Sequence, residues 1–286
     1  MSPQGTVLPL QKGIIYGPVA SRRLGRSLGI NLLPTAYKAC SYNCIYCHYG
    51  WTRVKTNRME VLAKDLPSVA QVEAALAASL ADGVDPEYIT FSGNGEPTLH
   101  PDFAEMVEVV VRLRDRFAPQ AKTCVLSNAT GLDRPAVVDA LQMLDLRVLK
   151  LDAGTEQSWR VVNRPASGLH FEQLLAGLQA VRDWVLQAVF FQGRISNAGP
   201  EEVERWIDRL AQLQPTAAQI YTVDRPAADG TLAKVPVSVL QDIASRASRE
   251  TGVPVQVYSG STQAEASKVA SPATASERCW PKEEKA

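Results

Sequence analysis

From residue 69 onward the apolar positions follow two alternating rhythms. "VAQVEAALAASLA" (69–81) places them at helical spacing. So do "DFAEMVEVVVRLRDRF" (102–117), "RPAVVDALQML" (134–144), "FEQLLAGLQAVRDW" (171–184), "PEEVERWIDRLAQL" (200–213) and "VSVLQDIASRASRET" (237–251). Between them stand short runs rich in β-branched and aromatic residues: "EYITFSG" (87–93), "KTCVLSN" (122–128), "LRVLKLDA" (146–153), "LQAVFFQG" (186–193), "AAQIYTVD" (217–224) and "PVQVYS" (254–259). "LGINLLP" (28–34) predicts an earlier strand, stopped by Pro34. Pro101 suits the first turn of the second helix, and Asn197 or Gly199 the cap of the helix over 200–213.

Strands alternating with helices of this length predict parallel βαβ units. Right-handed crossovers turn such units into a barrel or into an open doubly wound sheet. Five strands run directly into polar or Gly-rich clusters: "SGNGEPT", "SNAT", "LDAGT", "QGRISN" and "VDRPAADG". Strand C-termini are where both folds place their sites, and so many consecutive rims favour a site ringed by strands. The expectation is an α/β fold, a partial (β/α)6-type TIM barrel of parallel strands over 28–259. Residues 1–27 read as a short N-terminal extension. Residues 260–286, rich in Ala, Ser, Thr, Lys and Glu, read as a flexible tail that carries Cys279 and Trp280.

Composition changes this picture little: 286 residues, 45% hydrophobic and 21% charged, are ordinary for a globular chain with a large core. Charge matters more. Lys+Arg and Asp+Glu both total 30, so no global field draws the chain to nucleic acid or anionic membrane. Local basic runs remain at Arg22, Arg23 and Arg26, and at Arg53, Lys55 and Arg58. Residues 1–13 lack the charged start and long apolar stretch of a signal peptide, and no apolar run is long enough to span a membrane. The expected location is therefore the cytoplasm. Of five cysteines, three crowd together, which argues for a metal or redox site and against a disulfide framework.

Those three are Cys40, Cys44 and Cys47 in "KACSYNCIYCHYGW" (38–51), spaced Cys-x3-Cys-x2-Cys. Three thiolates ligate three irons of a [4Fe–4S] cube and leave the fourth open to a small molecule. A structural zinc site fills all four positions, which would enlist His48, but adjacent Cys47 and His48 converge poorly on one tetrahedral ion. Cys124 and Cys279 are further candidate ligands. Cys124, mid-strand, fits a buried free thiol.

With Tyr46 just before the third cysteine, this loop resembles the signature of the radical S-adenosylmethionine (SAM) superfamily. The resemblance implies an open iron that chelates the methionine part of SAM. It implies one-electron cleavage to a 5′-deoxyadenosyl radical that abstracts hydrogen from substrate, with Tyr46 packed beside the adenine. "FSGNGEPTLHPDF" (91–103) is similar to the family's Gly-Gly-Glu segment, which places Gly93, Asn94, Gly95 and Glu96 at the SAM amino group. Backbone carbonyls and a carboxylate suit an ammonium, although "GNGEP" alone also composes a turn. The resemblance further implies that Ser127, Asn128, Lys150 and Asp152 meet the SAM carboxylate and ribose, with Lys150 paired to the carboxylate. Asp152 could instead cap the "GTEQSW" turn. Gln192, Asn197, Asp224 and Arg225 face the same rim by position and are candidates for SAM or substrate contact.

"GPVASRRLGRSLGINLLP", "SGNGEPTLHPDF" and "QIYTVDRP" extend the likeness from about Tyr16 to Tyr258. The subgroup resembled is the tRNA wyosine synthase-like group of Fe–S oxidoreductases. Only Cys124 and Cys279 remain for a second cluster, and the neutral charge gives no tRNA footprint. The substrate thus stays open among a small molecule, a protein and tRNA. Glycyl-radical activation of a partner protein and tRNA base modification are the alternative functions, with a structural zinc protein behind them. A one-electron donor such as flavodoxin or ferredoxin is the implied partner.

Overall fold

The computed structural model describes residues 5–259. The tail expected over 260–286, with Cys279 and Trp280, lies outside the described residues. The chain begins with an antiparallel pair, β1 (Ile15–Ser21) and β2 (Gly25–Ile30). Two short strands, β3 (Ala39–Cys40) and β4 (Val54–Lys55), then pair with each other at the base of the cysteine loop. The alternation follows: α1 (Val69–Ala81), β5 (Tyr88–Phe91), α2 (Phe103–Phe117), β6 (Lys122–Ser127), α3 (Pro135–Gln142), β7 (Leu146–Lys150). Next come α4 (Glu156–Val162), α5 (Phe171–Ala180), β8 (Val185–Gly193), α6 (Pro200–Leu213) and β9 (Ala217–Thr222). β10 (Leu232–Lys234), α7 (Val237–Thr251) and β11 (Val255–Tyr258) complete it.

The sheet runs in the order β1-β2-β5-β6-β7-β8-β9-β11, parallel from β2 to β11, with β10 added antiparallel to β8. Among the described residues β1 and β11 do not pair, so the sheet is an open partial barrel. Its inner strands β5 to β8 carry continuous buried runs, as parallel strands between helices and an interior should. In β8 the alternation is plain. Leu186, Ala188 and Phe190 join the core under the helices, while Val189 and Phe191 turn inward to meet Ile45 and Tyr46 of the cysteine loop.

The helices form where their sequences predict, except that the one expected over 171–184 ends at Ala180, where Val181 turns extended. In α1, Ser68 and Gln71 make a reciprocal capping box, and Val72, Leu76 and Leu80 are buried at i, i+4 and i+8. In α6, Val203, Trp206, Ile207, Leu210 and Leu213 form one buried stripe, with Pro200 in the first turn and Gln214 ending it in the left-handed region.

Several elements escape the periodicity, the short β3 and β4 among them. β1 reads "IYGPVAS", without alternation, because it is an edge strand with a register shift between Tyr16 and Val19. β10 is three residues long. The "GTEQSW" stretch is a helix rather than a turn: Thr155, not Asp152, caps α4 by accepting from the Ser158 amide. The strand expected over 28–34 instead ends at Ile30, because Asn31 turns and donates to the Leu33 carbonyl.

One backbone approach is diagnostic of the packing. Gly154, just past β7, lies against α6, and a Cβ there would stand 2.2 Å from the Arg205 carbonyl carbon. The Trp206 indole donates to the Leu151 carbonyl at 3.0 Å beside it. Gly154→Ala is therefore expected to destabilise the fold by about 1–3 kcal/mol through overpacking. Gly199→Ala, with open space around its Cβ position, should cost under about 1 kcal/mol. Thermal unfolding of the two variants side by side checks this, and equal shifts would contradict it.

Candidate active site

The cysteine loop sits at the C-terminal ends of the strands, held by backbone bonds from three sides. Asn43 and Ile45 donate their amides to the Asn163 and Val162 carbonyls at the end of α4, at 2.9 and 3.0 Å. From the β9–β10 connection, Ala228 donates to the Cys47 carbonyl and Asp229 to that of Ile45, at 3.0 and 2.8 Å. Within the loop, Cys47 donates to the Cys44 carbonyl and Gly50 to that of Cys47, so the chain coils tightly around the sulfurs.

Two of the cysteine sulfurs have a side-chain N–H donor. Asn128 Nδ2 lies 3.6 Å from Cys40 Sγ, and Asn163 Nδ2 lies 3.4 Å from Cys44 Sγ. The Lys38 ammonium, buried and bonded to the Gly50 carbonyl at 2.8 Å, is the cation beside Cys47. Burial pushes the Cys40 thiol up to about 12 and the Cys44 thiol up to about 11, each raised further by a neighbouring sulfur. Burial alone would lower the Lys38 ammonium. The three sulfurs around it outweigh that and raise it. Among the described residues no three His, Cys, Asp or Glu side chains stand in ready metal-binding geometry. The donor set itself fits a thiolate-held iron–sulfur cluster, because buried thiolates need a cation and N–H donors for stability.

The "GNGE" loop passes directly beneath. A bridge pairs Gly95 with Ala39, and a Cβ on Gly95 would meet the Ala39 carbonyl oxygen at 1.7 Å. Gly93 has φ +131°, and a Cβ there would strike the Asn31 side chain. Asn94 is buried. Its amide is spent on the backbone of Gln11 and Pro34. Glu96 is buried, and its two oxygens are used unequally. Oε1 accepts from Thr98 N, Thr98 Oγ1 and Ser127 Oγ at 3.0, 2.6 and 2.7 Å. Oε2 accepts from the Asn128 amide alone. Burial raises the Glu96 pKa and these donors hold it back.

Asp152 is the second buried carboxylate. Its Oδ1 accepts from Val189 N at 3.0 Å and from Lys150 Nζ at 3.1 Å. Its Oδ2 accepts from the Tyr46 hydroxyl and from Asn163 Nδ2. Lys150 also donates to Tyr221 at 3.1 Å and lies over the Tyr46 and Tyr221 rings. Tyr46 packs against Phe191, with ring centroids 6.0 Å apart.

The remaining candidates divide. Ser127 and Asn128 spend their side chains on Glu96, Cys40, Ser41 and Thr130. Asn197 is buried, accepts from Phe191 N and donates to the Asp152 and Val189 carbonyls, so it staples strand ends together. Gln192, Asp224 and Arg225 line a cavity of about 1110 Å³, with His48 and Tyr221 in its wall. His48 hydrogen-bonds the Pro226 carbonyl at 3.3 Å, and burial lowers its pKa. Cys124 is fully buried beside Leu24 and Val148, and burial pushes its thiol up.

Sequence reasoning missed Lys38 and Asn163. Lys38 had a signal: it precedes Cys40 by two residues, so in extended chain both point the same way. Asn163 lies 119 residues from the sulfur it touches, and nothing local announces it.

The family model described as "Radical SAM superfamily" matches residues 35–185. The UPF0026 protein of Methanocaldococcus jannaschii is 32% identical over 80% of this chain and 70% of its own length. A protein of Brachyspira hyodysenteriae named GTPase Obg is 32% identical over 74% of this chain, which spans only 30% of that protein. Among solved structures, a radical SAM methyltransferase from Sphaerobacter thermophilus covers 82% of this chain and 67% of its own, with TM-score 0.57 at 17% identity. Among the described residues no helix is long and apolar enough to cross a membrane. The chain belongs to the radical SAM superfamily and to the UPF0026 family, and it is an enzyme of the kind that uses a [4Fe–4S] cluster and S-adenosylmethionine.

Proposed function

We propose that Cys40, Cys44 and Cys47 hold a [4Fe–4S] cluster and that this chain cleaves SAM reductively to abstract hydrogen from a substrate. The observation that carries the reading is the gathering of three cysteines at the mouth of the strands, with side-chain N–H donors at two of the sulfurs and a buried ammonium beside them. When bound, the cluster supplies one electron, which breaks the SAM sulfur–C5′ bond to give methionine and a 5′-deoxyadenosyl radical. An external one-electron donor, of the flavodoxin or ferredoxin type, replaces that electron. The cytoplasm, a reducing compartment, suits this chemistry.

The chain's own residues position SAM. Glu96 Oε2 has acceptor capacity left after Asn128, and with the Gly93 and Gly95 backbone it receives the SAM ammonium. Lys150 Nζ has three donors and spends two, on Tyr221 and Asp152, which leaves one for the SAM carboxylate. Tyr46, its hydroxyl fixed by Asp152, offers its ring to the adenine. Asn94, Ser127, Asn128, Asp152 and Asn197 act by holding these groups in place. Gln192, Asp224 and Arg225 face the substrate side.

Anaerobic reconstitution, metal counting and chromatography for 5′-deoxyadenosine after dithionite and SAM test the reading. About four irons per chain and SAM cleavage are expected. Stoichiometric zinc without iron would replace the reading with a structural metal site. Cys44→Ala should abolish cluster assembly, and a normal iron content in that variant would contradict the ligand set. Glu96→Gln should keep the cluster and weaken SAM binding by about tenfold, the scale of one charge-assisted hydrogen bond. The loss is read as a missing SAM-induced change in the electron paramagnetic resonance spectrum of the reduced cluster. An unchanged response would remove Glu96 from the SAM site.

A further inference from the structure

The cavity beside the cysteine loop carries a charge that the neutral chain does not. Arg22, Arg23, Arg225 and Lys234 line it and one carboxylate, Asp224, faces them, a formal excess of three positive charges. Arg22 and Lys234 share Asp224, at 3.0 and 3.3 Å. Arg23 stacks over the Tyr221 ring at 5.1 Å. Arg225 forms no ion pair among the described residues. One carboxylate neutralises one of these cations, so the others repel across a shared concave space. An anion placed there relieves that repulsion.

The position is as informative as the charge. Arg22 and Arg23 follow β1, whereas Asp224, Arg225 and Lys234 belong to the β9–β10 segment, so the cations meet across the open seam of the sheet. His48, in the same wall, directly follows Cys47, and Tyr221 is the partner of Lys150. A molecule in the cavity therefore sits beside the cysteine loop.

We propose that this cavity binds the substrate, and that the substrate is a small molecule with at least two anionic groups, phosphate or carboxylate. The identification as substrate rests on the function proposed above, while the anion site stands on its own geometry. Guanidinium forks take either group bidentately. A concave cavity just above the roughly 300–1,000 Å³ typical of ligand sites has room for a small molecule. Zero net charge supplies no long-range pull on a polyanion.

Isothermal titration calorimetry of the full chain with sodium pyrophosphate and with tricarballylate tests this and separates the two anion chemistries. Saturable binding of at least one is expected, weakened several-fold by about 0.5 M NaCl. Arg23→Gln/Arg225→Gln should bind about tenfold more weakly, with its fold checked by circular dichroism. Arg58→Gln, a basic position outside the cavity, should retain the wild-type affinity. Absence of binding, or equal affinity in the double variant, overturns the proposal. Binding of a tRNA without response to either small anion also overturns it, in favour of nucleic acid. Formation of 5′-deoxyadenosine by the wild type is scored separately. SAM cleavage without anion binding removes this inference and leaves the proposed function. Anion binding without SAM cleavage leaves the anion site and removes the reaction assigned to it.

Discussion

Asp152 is 3% exposed, and both of its carboxylate oxygens are fully engaged. A buried carboxylate is tolerated only when its lone pairs are met, and here the donors come from four parts of the chain. Lys150 is its own strand, Val189 the next strand, Asn163 the end of α4 and Tyr46 the cysteine loop. Satisfying one charge thus fixes the loop against β7 and β8. It also orients Asn163, whose amide reaches Cys44 as well as Asp152. Removing any one donor leaves the others holding an incompletely paired charge, so the loop cannot drift without a large cost.

Glu96 repeats the device on the opposite side. It accepts from Thr98, Ser127 and Asn128, and the Asn128 side chain continues to Cys40 and Ser41. The two carboxylates therefore clamp the sulfur-bearing loop through two asparagines, one at each flank. They differ in one respect. Asp152 has no acceptor site left, while Glu96 Oε2 carries a single bond. That asymmetry makes Asp152 a fixed support and Glu96 the carboxylate able to take a ligand.

The helices were legible because their buried stripes follow the 3.6-residue period, as Val203, Trp206, Ile207, Leu210 and Leu213 do in α6. The inner strands were legible as apolar runs between turn residues. The loop chemistry was legible because soft ligands at short spacing carry it locally. What failed was whatever depended on distant partners. β1 takes its strand form from β2, not from its own pattern. Asp152 read either as a contact to SAM or as a cap; Thr155 holds the cap, which leaves Asp152 to the interior. The Asn94 side chain ties residue 11 to residue 34, a contact visible only once the chain is folded.

The seam between β1 and β11 follows from the same physics. A sheet that stops short of closure leaves two edges, and edges must be covered or charged. Here side chains link the end of β1 to the β9–β10 segment without a ladder: Arg22 to Asp224 to Lys234, with Arg23 laid on Tyr221. Ion pairs with partners about half exposed hold weakly in water. Such a clasp restrains the edges without sealing them, and it leaves its cations facing a cavity. A closed barrel of the same strands would replace those charges with backbone bonds and lose the opening. The incomplete barrel and the positive cavity are thus one feature, and the cysteine loop lies at its inner end.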